Sequence, residues 1–184
     1  MSLRALLAAA ALALAGCAGS PPAAPEGGSK APAAPAAAAP VDPSSPKTEI
    51  TLYFPSATED KLVTETREIV DTARPAERGT QVLVALLSGP QGEGALPAVP
   101  EGTTLRQLWI GKSGTAWADF SPELSDGLVG GSDDELLTLY AIVNSLAANV
   151  PQIKRVGLLV GGRERDTLGG HVDVRRPLPP RPEL

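Results

Sequence analysis

Between Ala18 and Lys47 the chain is almost entirely Ala, Pro, Gly and Ser, with eight prolines from Pro21 to Pro46. Such a stretch cannot bury enough apolar surface to offset the entropy of ordering it. Its prolines bias it toward extended polyproline II, at about 3.1 Å per residue. It reads as a tether. The tail Pro177–Leu184, with four prolines, reads as irregular. Of 184 residues, this leaves one folding unit at 48–176, in which no internal repeat is found.

The other end of the tether sets where the chain resides. Met1–Arg4 is a short basic start, and Ala5–Ala15 is an unbroken apolar run of eleven residues. A bilayer-spanning helix needs about twenty, so the run reads as the core of a signal peptide. It ends in Leu14-Ala15-Gly16-Cys17, which resembles a bacterial lipobox. That resemblance implies cleavage between Gly16 and Cys17, and acylation of Cys17. Two or more acyl chains hold a protein stably, because each buried methylene contributes roughly 0.8 kcal/mol. Residue 18 is Ala, not the aspartate that resembles an inner-membrane retention signal, which favours the outer membrane in a cell with two. The expected organisation is therefore signal peptide 1–16, lipidated Cys17 and tether 17–47, domain 48–176 and tail 177–184.

Charge and cysteine usage narrow the chemistry. Loss of residues 1–16 removes one arginine and leaves fifteen positive against twenty-one negative side chains, a net charge of −6. Nucleic-acid binders carry a basic surface, so nucleic acid is not an expected partner. A single Cys and a single His exclude a disulfide framework and a Cys/His metal cluster.

Within 48–176 the periodicities alternate. Thr48–Phe54 alternates Ile50, Leu52 and Phe54 with polar positions, a strand pattern. Lys61–Ile69 reads as a polar edge strand. Pro75 suits the first position of a helix, and Val82, Leu83, Leu86 and Leu87 follow at helical spacing until Gly89-Pro90 stops it. Gly79 inside that helix costs about 1 kcal/mol relative to Ala. A Gly/Pro-rich loop covers 91–103. Thr104–Gly111 and Thr115–Phe120 form a hairpin whose three-residue turn places Gly114 where a positive φ is needed. Ser132-Asp133-Asp134-Glu135 resembles a capping box, with Ser132 as N-cap and Glu135 reaching back. Leu136, Leu139, Tyr140, Val143 and Leu146 then mark one apolar helix face. Arg155–Gly161 reads as a short strand and Thr167–Val174 as a last one. The expected fold is α+β, one mixed or antiparallel sheet with two helices.

Seven segments in order carry a family. They are Leu52-Tyr53-Phe54, Leu86–Pro90, Val99–Thr103, Ala118–Ser121, the helix with Glu135 and Ile142–Leu146, Val156–Val160, and Leu168-Gly169-Gly170-His171. Together they resemble the GerMN domain over nearly all of 48–176. The resemblance implies an exported or lipid-anchored envelope protein with a fold akin to ring-building motifs. The chain has room for one GerMN copy.

The residues themselves offer little to an enzyme. Gly111-Lys112-Ser113 lacks the glycine that a phosphate loop needs five residues earlier, where Arg106 stands. His171 has Asp166 and Asp173 nearby, but there is no G-x-S-x-G elbow to supply a nucleophile. The acidic cluster Asp126, Asp133, Asp134 and Glu135 fits helix capping better than acid catalysis or Ca²⁺ binding. No cofactor and no metal site is expected.

The hairpin carries the candidate binding surface. Centred on Ser113, it sets Trp109 opposite Trp117 and Leu108 opposite Ala118, with both tryptophans on one face. The small Ala116 and Ala118 on the other face suit close helix packing. Trp109, Trp117, Gln107 and Asp119 are the candidate partner or ligand surface. The tryptophans are either free for contact or covered as core by the early strands or the C-terminal strand. The expected partners are the membrane, through lipid on Cys17, and envelope proteins, with peptidoglycan as the alternative. A lipid-anchored scaffold or adaptor is one reading of function; a cell-wall glycan or small-ligand binder is the other.

Overall fold

The computed structural model describes residues 45–184. The signal peptide, Cys17 and nearly all of the tether lie outside the described residues. Lys47–Pro55 forms β1 and Leu62–Val70 forms β2, paired antiparallel along their whole length. Pro75–Leu87 is α1, with Pro75 opening it and Gly89 (φ +79°) just beyond its Ser88 cap. Leu105–Ile110 (β3) and Thr115–Phe120 (β4) make the hairpin, and Glu123–Asp126 is the single turn α2. Ser132–Asn149 is α3, Arg155–Val160 is β5 and Arg163–Glu164 is the short β6.

The α+β class holds, and the strands divide into two ladders: β1–β2, and a mixed sheet in the order β3-β4-β5-β6. Side chains explain the division. Asn149 of α3 accepts from the Thr51 N–H (2.9 Å) and donates to its carbonyl (2.6 Å). Ser145 Oγ accepts from the Tyr53 N–H (3.0 Å). The free edge of β1 thus bonds to a helix where a third strand would otherwise pair, which also closes an exposed edge.

The core lies between these layers. Ile50, Leu52 and Phe54 of β1, Val82, Leu83 and Leu86 of α1, Leu139, Ile142, Val143 and Leu146 of α3, and Ala116, Ala118 and Phe120 of β4 are all buried. Gly79 has a packing role in α1. A Cβ there would come 2.6 Å from Leu108 Cδ2, so its absence lets α1 approach β3 closely.

Beside the division of the one expected sheet into two, two local expectations change. The helix cap shifts by one residue: Gly131 is the N-cap of α3, and Asp134 accepts from its N–H (3.2 Å). Glu135, expected to fill that role, is turned a further 100° round the helix and is buried. Thr167–Val174 is no strand, because its amides turn inward to Glu135, as described below. The antiparallel partner of β5 is β6, where Val160 faces Arg163. The tail Pro177–Leu184 has no regular element, but it is bound to the domain. Leu178 bridges Val156 in both directions, Asn144 holds the Arg181 backbone through both amide atoms, and Leu184 accepts from the Leu62 N–H (2.7 Å).

Candidate interaction face

The β3–β4 register is the one the turn demands. Trp109 opposes Trp117, Leu108 opposes Ala118, and Gly114 takes a φ of +83° in the turn. Ala116 and Ala118 face the helices and are wholly buried. The tryptophans point the other way. Trp109 is 38% exposed, so neither the early strands nor the C-terminal segment covers it as core. Trp117 is half-buried.

The neighbouring strand shapes this face. In the parallel β4–β5 register Trp117 lies beside Gly157. A Cβ on Gly157 would sit 2.5 Å from Cε3 of the indole. The ring therefore lies flat across β5, and only glycine leaves room for it. The result is an aromatic platform of Trp109 and Trp117, bounded by Thr115, Arg155 and Leu159 on the same pleat face.

The two polar candidates differ. Gln107 is exposed at the rim. Asp119 is 7% exposed and already engaged: it accepts from the Gly162 N–H (2.7 Å) and faces Arg106 Nε (3.5 Å). Asp119 braces the β5–β6 turn through Gly162 and faces the β3 bulge through Arg106, so little of its carboxylate is left to a partner.

Glu135 was not legible as a site residue. Its side chain is fully buried, and its carboxylate accepts from the backbone N–H groups of Leu168 (2.9 Å), Gly169 (2.9 Å) and His171 (2.8 Å). His171 Nδ1 stands 3.2 Å from the same carboxylate. Desolvation pushes the Glu135 carboxyl up, but the amide bonds from Gly169, His171, Leu168 and Val172 together outweigh it and hold the pKa below the ordinary value. The Leu168–His171 segment is thus an anion nest closed round an internal carboxylate. A Cβ on Gly169 would crowd Leu128 Cδ2 (2.9 Å) and the Glu135 carboxylate (3.3 Å), so glycine gives the nest its room. The signal was an acid one residue past Asp134, the capping-box acid, followed far downstream by Gly-Gly.

These contacts leave the candidate catalytic groups apart. His171 pairs with Glu135, whereas Asp173 is bound by Arg175 (2.7 Å), whose guanidinium lowers the carboxyl to about 2. Among the described residues no three His, Cys, Asp or Glu side chains converge on a metal position. No described helix is long and apolar enough to cross a membrane. A separate apolar cleft of about 210 Å³ runs between Leu96–Pro100 and α3, with Val129 almost wholly exposed at its rim.

A two-layer α+β domain with an uncovered aromatic sheet face is the class of protein these features define. The Germane family, described as sporulation and spore germination, matches residues 51–166, and the chain belongs to it. Solved structures agree. The first GerMN domain of the sporulation protein GerM from Bacillus subtilis is similar at 24% identity and a TM-score of 0.59, covering 72% of this chain and 97% of that one. A protein from Clostridium perfringens named as a candidate lipoprotein is similar at 27% identity and a TM-score of 0.52, covering 72% of this chain and 87% of that one. The tandem GerMN domains of B. subtilis GerM are similar at 20% identity and a TM-score of 0.51; the match covers 76% of this chain but only 46% of the tandem. No curated protein matches the chain.

Proposed function

We propose that this chain is a lipid-anchored, non-catalytic domain of the bacterial envelope that acts as a scaffold or adaptor, docking other envelope proteins on its tryptophan face. The observation that carries the reading is the platform itself: Trp109 is 38% exposed on the sheet face that the helices leave bare, beside an indole laid flat over Gly157. Large aromatics are enriched in protein contacts because they supply wide apolar area at small entropic cost. The lipobox-like Leu14–Cys17, and the similarity to a protein named as a candidate lipoprotein, support attachment through Cys17. Attachment to a surface then raises the domain's effective concentration toward partners on that surface.

The test is crosslinking in intact cells with a C-terminally tagged chain, compared with Trp109→Ala. The expected result is a small set of envelope proteins captured in stoichiometric amount and lost in the variant, whose thermal midpoint stays close to that of the parent. Capture unchanged by Trp109→Ala would sink the reading. Retention of the purified chain on peptidoglycan, lost in Trp109→Ala and in Trp117→Ala, would replace it with glycan binding. For the anchor, Cys17→Ser is expected to move the chain from the membrane fraction to the soluble one.

A further inference from the structure

The outer edge of β2 is built to pair with one more strand. Pairing with β1 uses the N–H and C=O groups of alternate residues of β2, so Leu62, Thr64, Thr66, Glu68 and Val70 point theirs outward. The two ends of this edge are filled. Leu62 N–H donates to the Leu184 carbonyl, and Val70 exchanges both backbone groups with the Gln81 side-chain amide at 3.1 Å. Between them, the backbone groups of Thr64, Thr66 and Glu68 have no partner among the described residues on that side. All three side chains are exposed.

We propose that this edge pairs with the same edge of a second copy, antiparallel about a two-fold axis at Thr66. The open window runs from 64 to 68 and is centred on residue 66, as a two-fold requires. The sequence Thr64–Glu68 is also self-complementary about that centre. Within the open window Thr64 then faces Glu68 of the second copy, and Glu65 faces its Arg67. No like charges are set opposite each other, which is the arrangement that favours antiparallel pairing. Glu65 and Arg67 already form a close pair in each copy (2.6 Å), so neither brings an uncompensated charge to the contact. The product is a continuous four-stranded ladder, β1-β2 joined to β2-β1 of the second copy.

Register-specific crosslinking tests this. Residues on the axis would be a hydrogen-bonded pair with Cα atoms about 5.5 Å apart, inside disulfide range. Thr64 of one copy would lie four residues out of register with Thr64 of the other, about 13 Å away. Thr66→Cys and Thr64→Cys are made separately in the full-length chain carrying Cys17→Ser, and each is oxidised mildly at high protein concentration. The expected result is that Thr66→Cys becomes a covalent dimer while Thr64→Cys stays monomeric, and that the two variants unfold alike. A monomeric Thr66→Cys, or equal crosslinking of both, would overturn the proposal. An edge that instead takes an extended segment of another protein, or this chain's own residues 18–44, gives the first of those outcomes.

Discussion

Glu135 shows how one buried acid can organise a distant segment. Replacing it with Ala leaves three inward N–H groups unpaired, at a cost on the order of 3 kcal/mol. Urea unfolding of Glu135→Ala is expected to show this loss, and amide exchange at Leu168 and Gly169 is expected to speed up. The sign with pH follows from its depressed carboxyl. The folded value lies below the ordinary 4.5, so its stabilisation is complete above 4.5 and is lost as pH falls through the folded value. Glu135→Gln should therefore be less stable at neutral pH, with a shallower loss into acid. Little of this was legible beforehand. A capping box starting at Ser132 or one starting at Gly131 differs by one residue, yet the shift turns Glu135 from a surface cap into the core. Gly157 is the opposite case at the same scale. A methyl there meets the Trp117 ring, so Gly157→Ala is expected to cost about 1–3 kcal/mol and to raise Trp117 fluorescence quenching by acrylamide.

At the scale of elements, β1 depends on α3 as much as on β2. Asn149→Ala removes both bonds to the Thr51 backbone and the one to the Ser145 carbonyl. The expected cost is about 1–3 kcal/mol, with faster hydrogen exchange at the Thr51 amide as the local readout. Local patterns made the hairpin, α1, the body of α3 and the face of the tryptophans readable, because turn glycine, apolar period and cross-strand register agree there. Thr167–Val174 could not be read that way. Its alternation suits a strand, but its amides go to a carboxylate more than thirty positions earlier, and no local window contains that partner. The separation of β1–β2 from the main sheet was hidden for the same reason. It rests on two polar side chains near the end of a helix.

For the molecule as a whole, the tail closes the fold. Leu178 and Leu184 pack against the core, and Arg181 stacks over the Tyr140 ring with its guanidinium carbon 5.2 Å from the centroid. Deleting residues 177–184 is expected to cost on the order of 2 kcal/mol, read as a fall in thermal midpoint of about 2–4 °C per kcal/mol. Its prolines suggested an appendage, yet proline removes only a donor and leaves each carbonyl free to accept. The backbone carbonyls of Pro177, Leu178, Arg181 and Leu184 all do so.

β1 also decides how the domain would answer to mechanical load. A chain held through its N-terminal side is pulled at Lys47, along the axis of a nine-residue strand whose far end, Pro55, lies beside Leu62 and the C-terminal residue. Force between those two points shears the whole β1–β2 ladder and the Asn149 and Ser145 bonds at once. It does not peel them apart one after another. A pull along β1 against the Leu62 end of β2 therefore loads many bonds together, whereas a pull on Leu184 first meets the single bond that ties it to Leu62.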